Sequence, residues 1–69
     1  MMNKKVAHST FEQLSEKIRN SCIQAAREGF REASMSGLCS EGAMEAAIGA
    51  IQSINLDEIV ADFLENSRK

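Results

Sequence analysis

The residues of this chain with chemistry to offer are few: two cysteines, Cys22 and Cys39, one histidine, His8, and scattered carboxylates. Cys39 lies in "GLCSEGAMEAAIGAI", residues 37–51, one residue before a helix start predicted at Ser40. A thiol at a helix N-terminus has its thiolate favoured by the helix dipole, which makes it a better nucleophile near neutral pH. The adjacent Glu41 carboxylate works against that. A nucleophilic cysteine also needs a positioned histidine base and an oxyanion hole. His8 falls in the N-terminal segment, where it reaches Cys39 only across the length of the first predicted helix or from another chain. No Cys-x-x-Cys pair is present, which excludes thioredoxin-like redox work. Cys39 is thus the one catalytic candidate, and the reading preferred for it is a small apolar residue buried at the turn.

A Cys22–Cys39 disulfide is not expected. With the first helix unbroken, Cys22 lies about 21 Å from its C-terminal end, whereas a disulfide needs Cα atoms within about 7 Å. Cys22 falls on the apolar stripe and reads as core. Two cysteines and a histidine without short spacing do not make a zinc site. Asp57/Glu58 and Asp62/Glu65 fall on a predicted solvent face, and there is no Glu-x-x-His motif to complete a carboxylate-bridged metal centre. No glycine-rich phosphate loop and no Ser/His/Asp set occurs. No metal and no cofactor are expected.

The elements that place these residues are helices. The chain has 69 residues, no proline, no Trp and no Tyr, and its apolar content is mostly aliphatic side chains and alanine. That is helix-forming composition without the turn clusters of β proteins. Residues 1–8 are polar and aperiodic and read as a flexible tail, leaving 9–69 as a single helical domain. Ser9/Glu12 and Thr10/Gln13 both have capping-box spacing. From there Phe11, Leu14, Ile18, Cys22, Ala25, Gly29 and Ala33 recur every three or four residues, with Ile23, Ala26 and Phe30 widening the stripe. Glu16/Arg19 and Glu28/Arg31 are spaced for local ion pairs. Gly37 supplies a left-handed stop, with Leu38 folding back on the last turn. This first helix is expected over about residues 10–36.

A second helix, about 41–54, is expected to be capped by Ser40 and to turn Met44, Ala47, Ile48, Ile51 and Ile54 inward. Asn55 and Glu58 again have capping-box spacing, and Ile54 and Ile59 are placed as a hydrophobic staple. The third helix, about 56–66, carries Leu56, Ile59, Val60, Phe63 and Leu64. The expected fold is all-α: three helices in a helical hairpin or small bundle. About a dozen large apolar residues make a thin core for a chain this short, so a homodimer is the expected staple.

Small residues form a second pattern. Ser21, Ala25, Gly29, Ala33 and Gly37 recur every four residues, as do Gly42, Ala46 and Ala50, with Gly49 and Ser53 following. Such spacing lets two backbones approach closely. A mid-helix glycine costs roughly 1 kcal/mol against alanine, so Gly29 and Gly49 are expected to have a packing reason. Ala25, Gly29, Ala33, Gly42, Ala46 and Ala50 are the candidate binding or packing residues. What they face is a neighbouring helix, in the chain or across a dimer, or else a small ligand in the groove.

Charge narrows the function. The net charge is −2, and between Gly37 and Asn66 six acids stand without a lysine or arginine. That argues against nucleic acid, which requires a basic face. It leaves a basic protein partner or simply a solvated acidic face. The first residues carry lysines but no apolar segment of signal-peptide type, and no stretch approaches a membrane span. A cytoplasmic protein with reduced thiols, and without nucleic-acid or membrane partners, is expected.

"GLCSEGAMEAAIGAIQSINLDEIV" resembles a group of short bacterial proteins sharing a Gly-Leu-Cys-x-Glu-Gly-x-x-Glu-Ala-Ala-x-x-Ala-Ile-x-Ser core. The matching positions are Gly37, Leu38, Cys39, Glu41, Gly42, Glu45, Ala46, Ala47, Ala50, Ile51 and Ser53. "CIQAAREGFREA" fits the same group loosely. Its members are often labelled acetyltransferases, but the resemblance supplies no mechanism. Acetyl-coenzyme A enzymes of the familiar kind use a sheet and a pyrophosphate-binding loop, neither of which is expected here. Met44 also stands where many members have an aromatic residue.

The function these readings support is a small cytoplasmic protein-interaction module without intrinsic catalysis. Two alternatives stand beside it: a thiol-dependent catalytic or redox-sensing protein centred on Cys39, and a small-ligand carrier using the groove between helices.

Overall fold

A computed structural model describes the backbone of residues 2–68 and the side-chain surroundings of residues 10–66. The chain is all-α. Helix α1 spans Met2–Met35, α2 Ser40–Gln52 and α3 Leu56–Arg68, with no strand among the described residues.

The long first helix begins at Met2 rather than near residue 10, so Ser9 and Thr10 lie inside it and do not cap it. Nothing between Met2 and Thr10 is a glycine or proline. Once a helix is nucleated, each further residue adds a hydrogen bond at little cost, so polar composition alone does not end it. Its other end is closed where expected. Gly37 has φ +99°; its N–H donates to Ser34 O at 3.0 Å, and that of Leu38 donates to Ala33 O at 3.0 Å. These paired 5→2 and 6→1 bonds are a Schellman stop, which needs the left-handed residue that glycine supplies.

The start of α2 differs from expectation by one residue. Cys39, not Ser40, is the N-cap: its backbone is extended (φ −73°, ψ 174°) and Ser40 is the first helical residue. The Cys39 carbonyl accepts the first helical bond, from Ala43 N at 2.8 Å. At the other end, the Ser53 N–H donates to Gly49 O and Ala50 O, and its hydroxyl also donates to Gly49 O at 2.9 Å. Asn55 caps α3 through its side chain, Oδ1 accepting from Glu58 N at 3.0 Å. Such a cap contributes about 1 kcal/mol.

The chain divides into two compact units: Met1–Arg19 with Asn55–Lys69, and Asn20–Ile54. In the first, Leu14, Ile18, Ile59, Val60 and Phe63 are half-buried, while Phe11, Leu56 and Leu64 are exposed. Glu16 and Arg19 form the expected pair at 3.0 Å; fully solvated, such a pair contributes well under 1 kcal/mol.

The second unit is a two-helix hairpin. A four-residue turn joins α1 to α2, and Gly29 lies against Ala46, Ala47 and Ala50, so the two helices run antiparallel. Alanine and glycine carry this contact because larger side chains would hold the backbones apart. Ala33 and Ala43 are its buried centre, Ala43 completely so. Glu28 accepts a hydrogen bond from Gln24 at 3.4 Å rather than pairing with Arg31 as its spacing suggests.

Candidate interaction surface

The Asn20–Ile54 unit holds the candidate binding or packing residues and both cysteines; His8 has its side chain outside the described ones, and the Asp57/Glu58 and Asp62/Glu65 carboxylates lie in the other unit. A Cβ built on Gly29 would stand 2.9 Å from the Ala46 carbonyl oxygen and 3.0 Å from Ala50 Cβ. Gly29, Ala46 and Ala50 therefore meet each other. Ala25 is half-buried and Ala33 buried on the same stripe of α1. Gly42 is covered by Leu38, whose Cδ2 would be 3.1 Å from an added Cβ. Leu38 thus folds onto the first turn of α2. Gly49 differs: a Cβ there would meet nothing within 4 Å, so no contact within the chain requires glycine at that position.

Both helices turn about 100° per residue, and this phase sorts the remaining side chains into two flanks of the hairpin. On one flank Glu32 and Ser36 of α1 face Gly49 and Ser53 of α2 across an open groove of about 400 Å³. The groove is lined mainly by Gly29, Ala33, Leu38, Ala46 and Ala50 and lies open to solvent. Glu32 brings a carboxylate to it, and the Ser53 hydroxyl already spends its proton on Gly49 O. Ligand sites of small-molecule type are enclosed, which this groove is not.

The opposite flank is apolar. Ile23 and Phe30 of α1 share it with Met44, Ile48 and Ile51 of α2. These five side chains remain 38–58% exposed. The sequence pattern reads them as core; the structure leaves them on the surface, because the alanines and Gly29 already fill the space between the helices. No large side chain in the described chain is fully buried.

Charged residues stand beyond that flank on both helices. Continuing around α1 past Ile23 and Phe30 come Arg27 and Arg31, which line one shallow depression together with Ile23 and the acidic Glu28; Arg31 lines a second with Glu28, Glu32 and Met35. Continuing around α2 past Ile48 come Glu41 and Glu45. All of these charged residues are exposed.

Cys39 sits outside both flanks. It is exposed and free, as is the half-buried Cys22. The expected burial of Cys39 at the corner is therefore corrected: Leu38 covers Gly42, and the sulfur is left in solvent. The backbone amides of Gly42 and Glu41 hold its thiol below the ordinary value of 9.0, although no cap hydrogen bond closes on the sulfur. Partial positive charge at a helix N-terminus favours a thiolate in this position.

Among the described residues no three potential metal ligands cluster, and no helix is long and apolar enough to cross a membrane. Comparison with protein-family models, curated proteins and solved structures gives no match.

Proposed function

We propose that this chain is a small cytoplasmic protein-interaction module, without catalysis of its own, that binds through the apolar flank of the α1–α2 hairpin. On its GLC-x-EG core we place it beside the short bacterial proteins it resembles. The observation that carries the reading is the flank itself. By helix phase Ile23, Phe30, Met44, Ile48 and Ile51 fall on one side of the hairpin, each 38–58% exposed, and exposed apolar side chains gathered on one side mark a protein-binding surface. Covering the exposed remainder of each side chain is worth roughly 1 kcal/mol, which summed over the five favours association once a partner covers them.

The test is capture from bacterial extract by the wild-type chain and by Ile48→Glu, with helicity of both followed by circular dichroism. The wild type should retain a partner, its own chain or another protein, and the variant should lose it while staying helical. A variant that keeps every partner, or a wild type that is a solitary folded monomer with none, overturns the reading. The exposed sulfur of Cys39, with its thiolate favoured by two backbone amides, supports thiol chemistry as a second reading, decided by its reaction rate with a thiol reagent across pH.

A further inference from the structure

We draw no further inference here: the strongest candidate, the apolar flank of the α1–α2 hairpin where Ile23, Phe30, Met44, Ile48 and Ile51 stand exposed, carries none beyond the reading above, because nothing in the structure shows what covers it.

Discussion

Cys39 ends an extended turn and opens a helix, and its chemistry follows from that position alone. The amides of Gly42 and Glu41 lower its pKa from 9.0, so folding favours the thiolate over the thiol. A group whose folded pKa is depressed adds stability that is fully present above its unfolded value and disappears as pH falls through the folded value. Wild type should therefore gain stability relative to Cys39→Ser as pH rises from neutral to alkaline, measured by denaturant titration at each pH. At neutral pH the serine variant is expected to be no worse, since serine is the better N-cap. Labelling by a thiol reagent should have its midpoint below 9.0, with the half-buried Cys22 reacting more slowly. Parallel stability curves together with a midpoint at or above the ordinary value would remove the activated thiol and, with it, the second functional reading.

At the scale of helices, the α1–α2 contact turns on one glycine and not on the other. An alanine at Gly29 would bring its Cβ against the Ala46 carbonyl oxygen, a backbone atom that gives only if the helices part. Overpacking of this kind costs about 1–3 kcal/mol, against at most ~1 kcal/mol of gained helix propensity. Gly29→Ala should therefore destabilise by about 1 kcal/mol net. Gly49→Ala meets nothing within 4 Å and should stabilise by about 0.5–1 kcal/mol. Denaturant midpoints of the two variants moving in the same direction would show that the close contact is not there. The four-residue spacing through Gly29, Ala46 and Ala50 made that contact readable from the sequence, as Gly37 followed by Leu38 did the stop and Asn55 the last cap. What the spacing could not show is which side of a stripe a neighbour occupies. Gly49 carries the same signal as Gly29 yet faces open groove, and Ile23, Phe30, Met44, Ile48 and Ile51 have core periodicity yet lie beside the contact. Periodicity reports that a helix has an apolar face, not whether its own chain is large enough to cover it. Cys39 was misplaced for a related reason: serine is the commoner cap, but the Schellman turn fixes how many residues separate the helices, and that count puts Cys39 at the boundary.

For the molecule as a whole, the described residues bury only Ala33 and Ala43. Ordering each residue costs about 1–2 kcal/mol of backbone entropy, and alanine returns little of it when it leaves water. A chain of this size sits near zero on that balance without a staple, and no disulfide supplies one, since both cysteines are free. On the proposed reading, association through the Ile23–Ile51 flank is part of folding and not an addition to it. Stability linked to association depends on concentration by mass action. For a folded dimer of chains this short, each tenfold rise in concentration should raise the thermal midpoint by about 5 °C. Ile48→Glu, which puts a charge into the apolar flank, should lower the midpoint at every concentration. Gly49→Ala, which lies on the other flank, should raise the curve without changing its slope. Thermal melts followed by circular dichroism over a hundredfold range of concentration measure all three. A wild-type midpoint that stays constant over that range would mean that the hairpin alanines suffice to hold the chain folded, and that whatever binds the apolar flank does so after folding is complete.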